Sequence, residues 1–182
     1  MTASLRSLHD RPFDLLRALE RRLEAAHSDA AGSANTSWVG LGLRLAQTWL
    51  VVPRDEVREV IPPPPVTRVP TAQPWLRGVA NVRGELCAIV DPALMLGLPE
   101  APPQRLQRVL LLNSPHWPVG FLVDEVAGHR SFAPHDQRPQ LAAQADPFTP
   151  WLLGAFVREG QPWLAFSLQR LVRDGAFRSA AL

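Results

Sequence analysis

Cys87, Asp91, Asp124, Glu125 and five histidines are the side chains of this 182-residue chain best suited to chemistry. His9, His27, His116, His129 and His135 never fall at the H-x-x-x-H or H-E-x-x-H spacing that sets two imidazoles on one helix face around a metal. A single cysteine excludes an internal disulfide and leaves no thiolate set for zinc. Inside the apolar run Leu86 to Val90 it reads as a small buried hydrophobe. Asp124 and Glu125 are neighbours, and consecutive strand side chains point to opposite faces, so they cannot work as an acid–base pair. Asp91 closes an apolar run just before Pro92, the place of a turn-capping carboxylate that accepts backbone N–H groups. There is no G-x-S-x-G elbow, and a G-x-x-x-x-G-K phosphate loop is impossible in a chain without lysine. These residues describe neither an enzyme nor a metal or cofactor site.

The elements that hold them are short and mostly β. Trp38 to Leu45 and Thr48 to Pro53 read as two strands around a two-residue turn, and Val57 to Ile61 as a third. Gly78 to Asp91 reads as a hairpin: Val79, Leu86, Ile89 and Val90 are β-formers, Arg83-Gly84-Glu85 supplies the turn, and Gly84 permits a positive φ. Arg108 to Leu112 and Val119 to Val126 are further strands, and Leu153 to Val157 and Trp163 to Phe166 a last hairpin. Short helices are expected over Ala93 to Leu96 and Leu168 to Phe177, and a loop over 128–150. Nineteen prolines exclude long helices and long central strands. The run Pro62 to Pro65 must be extended; it reads either as a stiff inter-strand loop or as a polyproline ligand for an aromatic groove. This spacing of strands belongs to a small barrel or sandwich.

The first 36 residues differ. Leu16, Leu19 and Leu23 fall at i, i+3 and i+7, flanked by Phe13 and Leu15, with Arg and Glu on the other faces, so an amphipathic helix runs from about Pro12 to Ala26. It serves either to complete the core of its own domain or to dock on a partner. The chain divides accordingly into an extension, 1–36, and a domain, 37–182. The formal charge is +2 and every basic residue is arginine, interleaved with Asp and Glu, which gives little support to nucleic-acid binding. Neither a secretory leader nor an apolar run of bilayer-spanning length is visible, which places the chain in the cytoplasm.

The order Gly78-Val79-Ala80-Asn81-Val82-Arg83-Gly84, followed by an apolar strand ending in Asp91, resembles the signature hairpin of CheW-like adaptor domains. Val57-Arg58-Glu59-Val60-Ile61 is similar to an earlier element of that family, and Phe121 to Val126 to a later one. Arg11 to Leu16, Gly154-Ala155-Phe156 and Arg173 to Phe177 resemble its PilI-type subgroup, the adaptors of the chemosensory system that controls type IV pili and twitching motility. Two departures stand out: Val82 in place of the common leucine before Arg-Gly, and Ala88-Ile89-Val90-Asp91-Pro92 in place of Pro-x-x-Asp-Leu.

The resemblance implies a mainly β fold of two packed five-stranded SH3-like barrels preceded by the amphipathic helix. It implies a non-catalytic adaptor between the cytoplasmic signalling tip of methyl-accepting chemoreceptors and a CheA-type histidine kinase, recruited to membrane-associated receptor arrays without inserting in the membrane. Carried over by position, Val57, Glu59, Val79, Asn81, Arg83, Gly84 and Val123 are the expected receptor- and kinase-binding residues. A bidentate Arg83–Glu59 bond would orient the hairpin; whether the two groups meet a partner or each other is open at this level. The competing reading is a small-barrel nucleic-acid-binding module, kept in play by six tryptophans.

Overall fold

In a computed structural model that describes residues 37–99 and 105–180, the apolar runs form ten strands. The expected helix over 12–26 lies outside the described residues. The order is β1 (Trp38–Leu45), β2 (Thr48–Pro53), β3 (Val57–Ile61), β4 (Leu76–Val82), β5 (Glu85–Val90), α1 (Pro92–Met95), β6 (Arg108–Leu112), β7 (Val119–Val123), β8 (Glu125–Phe132), α2 (Pro139–Ala143), β9 (Leu152–Arg158), β10 (Gln161–Phe166), α3 (Leu168–Arg173) and α4 (Gly175–Arg178). They build two five-stranded sheets, β8-β1-β2-β10-β9 and β3-β6-β7-β5-β4, the expected pair of small barrels. Pairing is antiparallel except between β2 and β10 and between β5 and β7. Across the edges of the first sheet, Arg158 Nη1 of β9 donates to the Ser131 carbonyl of β8.

Strand β6 shows why apolar runs rather than strict alternation mark this fold. Val109 and Leu111 point into the second barrel with Ala80, Val82, Cys87 and Ile89, while Leu110 and Leu112 join a core common to both sheets. A strand buried on both faces must be apolar at every position. Strand β2 does the same: Leu50 and Val52 enter the common core, and Val51 packs inside the first barrel with Phe132, Phe156 and Trp163. Phe132 and Phe156 stack with ring centroids 4.6 Å apart, and Trp38 stacks on Phe156 at 5.4 Å. The common core also takes Phe121, Phe166 and Leu171, so the barrels are joined by apolar packing.

Three expectations are corrected. The single strand over Val119–Val126 is broken at Asp124, which is buried. Its carboxylate accepts the Ala46 N–H at 2.6 Å and its own N–H donates to the Arg44 carbonyl at 3.0 Å, so the chain leaves the second sheet there and joins the first. The loop over 128–150 is in part strand β8, which pairs with β1 as far as Phe132 and carries His129 and Arg130 on an exposed stretch, and in part helix α2. The closing helix over Leu168–Phe177 is two, because Asp174 adopts extended backbone and caps α4 through the Ala176 N–H. Asp91 takes the capping place expected of it: its carboxylate accepts the N–H groups of Ala93 and Leu94 at the start of α1 and pairs with Arg77 at 2.8 Å.

Candidate protein-docking site

The hairpin tip is built by a two-residue turn. Val82 pairs with Glu85, and Arg83 and Gly84 between them have φ of 55° and 88°, the doubly left-handed turn whose twist suits a hairpin. Asn81 Oδ1 accepts the Gly84 N–H at 2.8 Å and fixes the turn from the side. Opposite stands β3, which shifts register against β6 between Val57 and Glu59, leaving Arg58 as the extra residue. Such a bulge re-aims side chains that a regular strand would send to opposite faces. Here Arg58 and Glu59 both reach the hairpin tip.

Arg83 Nη2 meets Glu59 Oε1 at 2.5 Å, and Arg58 Nη2 meets Glu85 Oε2 at 2.9 Å. The two pairs run in opposite charge sense between the two end strands of the second sheet, β3 on one side and the β4–β5 hairpin on the other. The Arg83 side chain is 77% exposed, so its pair is worth only about 0–1 kcal/mol. What two pairs between the same elements supply is orientation of the tip.

Beside this clamp, β1, β3, β8 and the turn at 54–56 enclose a cleft of about 300 Å³ lined by Leu41, Val57, Val60, Arg54, Glu59 and His129, together with Arg58. Its floor is apolar and its rim charged, the make-up of a protein contact patch. Among the expected residues, Val57 and Glu59 line this cleft. Asn81, Arg83 and Gly84 form the exposed tip that Glu59 holds. Val79 lies elsewhere, in a second apolar depression with Trp75 and Trp117, and Val123 is 3% exposed within the common core. A further depression, about 590 Å³ beneath Trp38 and α2, contains none of the seven. Arg58, Glu85, Leu41 and His129 were not anticipated: the bulge that aims Arg58 has no signature in sequence, and His129 lies in a stretch that reads as loop.

Cys87 is fully buried behind the hairpin, and burial first, then the Glu85 carboxylate, pushes its thiol above the ordinary range, with Arg58 opposing. The unfolded chain therefore ionises first, so this contribution to stability is intact below the ordinary thiol pKa and is lost as pH rises from there through the raised pKa of the folded state. In native protein at neutral pH the thiol is expected to resist a disulfide reagent for hours and to react at once in denaturant, measured by chromophore release. Rapid native labelling would show an open barrel. Among the described residues no group of His, Cys, Asp and Glu is placed to hold a metal ion, and no helix is long and apolar enough to cross a membrane.

The comparisons with known proteins agree with this architecture. The family model for the CheW-like domain matches residues 39–176. The chain is 38% identical over 176 residues to Protein PilI of Pseudomonas aeruginosa, covering 94% of this chain and 97% of that protein. To the chemotaxis protein CheW of Thermotoga maritima it is 32% identical over 74 residues, 41% of this chain and 48% of that one. The crystal structure of scaffolding protein TtCheW from Thermoanaerobacter tengcongensis superposes with a TM-score of 0.65 at 16% identity, covering 78% of this chain and 96% of that chain.

Proposed function

Because this chain belongs to the CheW-like domain family, we propose that it is a non-catalytic adaptor linking the cytoplasmic tip of methyl-accepting chemoreceptors to a CheA-type histidine kinase, in the system that controls type IV pili and twitching motility. The observation that carries this reading is the near end-to-end match with PilI. The inter-barrel cleft supports it physically. An apolar floor at Leu41 and Val57 suits the apolar face of a receptor helix, and Glu59 and Arg54 at the rim set its register. The kinase regulatory domain takes an edge of one barrel, the protein works in the cytoplasm at receptor arrays, and residues 1–36 act as an extension distinct from the adaptor domain.

Arg83→Glu tests the site. It sets a carboxylate against Glu59 and beside Glu85, turning the clamp repulsive. Affinity for receptor tip or kinase, measured by titration with the purified partners, is expected to fall about tenfold or more. Thermal unfolding should move by only a few degrees, since exposed pairs contribute about 0–1 kcal/mol. Equal loss of binding and stability would make Arg83 structural, and failure of the unaltered protein to bind either partner would overturn the adaptor reading. A nucleic-acid-binding barrel would stack bases on exposed aromatics; among the described residues the exposed large apolar side chains are all aliphatic.

A further inference from the structure

Two features away from the inter-barrel cleft are complementary. The first is the ridge Pro62–Pro65 that follows β3. Pro62, Pro63 and Pro65 are exposed and Pro64 half-buried, and the ridge belongs to no helix or strand. Ile61, Pro62, Pro63 and Pro64 each precede a proline, which drives every one of them to extended backbone, and the proline rings fix φ. The result is a preformed polyproline II segment that offers carbonyl acceptors and has no N–H to donate. It is held at its far end where Thr67 bridges to Val79.

The second is the apolar depression of about 360 Å³ on the β4–β5–β7 side of the second barrel, lined among others by Trp75, Trp117, Pro118, Val79, Leu86 and Phe177. Trp75 stacks on Phe177 at 5.6 Å, and Leu86 is 65% exposed. The indole N–H of Trp151 donates to Asp174 Oδ2 at 3.2 Å, whereas those of Trp75 and Trp117 have no protein acceptor among the described residues. Flat rings that stack on prolines, with indole donors aimed at carbonyls, are how grooves recognise polyproline II. Within one molecule the ridge stays outside the depression, exposed.

We propose that the Pro62–Pro65 ridge of one copy of this chain docks in the Trp75–Trp117 depression of a second copy. A reciprocal pair of such contacts closes a two-fold dimer, and a one-way contact propagates head to tail.

Sedimentation of the full chain over a range of concentrations tests this without receptor or kinase, so its outcome is independent of the adaptor reading. The expected result is a rise in mass with concentration that a peptide of residues 60–67 suppresses. Trp117→Ala, and separately the double change Pro63→Ser and Pro64→Ser, should each weaken association about tenfold or more. Leu86→Arg blocks the exposed wall of the same depression and serves where Trp117→Ala perturbs folding. Mixing a groove variant with the ridge variant should restore a heterodimer, because each keeps the half the other lacks. A chain that stays monomeric at all concentrations, association that survives both classes of variant, or a mixture that fails to associate would overturn the proposal.

Discussion

Gly78→Ala is expected to destabilise the fold by roughly 3 kcal/mol or more, lowering the unfolding midpoint by about 10 °C. Gly78 has φ of 142°, a region that side-chain-bearing residues rarely enter, and a Cβ there would lie 2.3 Å from the Thr67 carbonyl oxygen and 2.8 Å from its carbon. Both atoms are backbone and cannot swing aside. They are held by paired hydrogen bonds, Thr67 N–H to the Val79 carbonyl at 2.8 Å and Val79 N–H to that of Thr67 at 2.9 Å, which close the outer edge of β4. The added methyl group must push this cover off and leave the edge unpaired. Gly84→Ala is the control: its φ is 88°, but nothing stands within 4 Å of the added atom, so only the conformational penalty of about 1 kcal/mol is expected. Thermal denaturation of the two variants checks the difference, and equal losses would assign the role of Gly78 to backbone angle alone.

Glu56→Ala is expected to cost about 2–4 kcal/mol. Glu56 is 7% exposed, and its carboxylate accepts the Ser167 hydroxyl at 2.7 Å and the Gln169 N–H at 3.1 Å, at the start of α3. Truncation leaves both donors without this acceptor, the Ser167 hydroxyl buried and the Gln169 N–H part-buried. Because Glu56 immediately precedes β3, the loss also loosens the strand that carries Val57 and Glu59, so partner affinity should fall together with stability. That distinguishes it from Arg83→Glu, which is expected to move binding alone. A double-mutant cycle with Ser167→Ala measures the coupling; an additive result would show that the two groups act independently.

How much of this was legible in the sequence depends on where each residue found its partner. Strands β1, β2, β5 to β7, β9 and β10 were readable because burial on one or both faces writes itself as an apolar run, as in Arg108 to Leu112. Strands β3 and β4 were readable from their β-branched residues and, for β4, the turn that follows. Strand β8 was not, because its outer residues Gly128 to Ser131 are half-buried or exposed and carry no apolar pattern. The break at Asp124 was hidden for a related reason: its hydrogen-bond partners, Ala46 and Arg44, lie in the first hairpin. Glu56 sits in the charged triplet Arg54-Asp55-Glu56 and reads as surface, yet its acceptor role is set by Ser167, 111 positions on. The Glu59–Arg83 pair was reachable through the family resemblance, being 24 positions apart. Its companion Arg58–Glu85 depends on a bulge that arises only when β3 meets β6.

The strand order has a consequence for how the chain reaches its native state. The sheet β3-β6-β7-β5-β4 is contiguous in sequence, from Val57 to Val123, whereas the other draws β1 and β2 from before that stretch and β8, β9 and β10 from after it. One barrel is thus inserted within the other. The inserted one can close through contacts of shorter sequence separation, while the outer one must bring Leu50 beside Leu164 across the whole insertion. Closing so long a loop carries the larger entropy cost and is the slower event. During synthesis, the barrel with the Arg83 hairpin is therefore expected to form first and serve as the surface on which the second is completed.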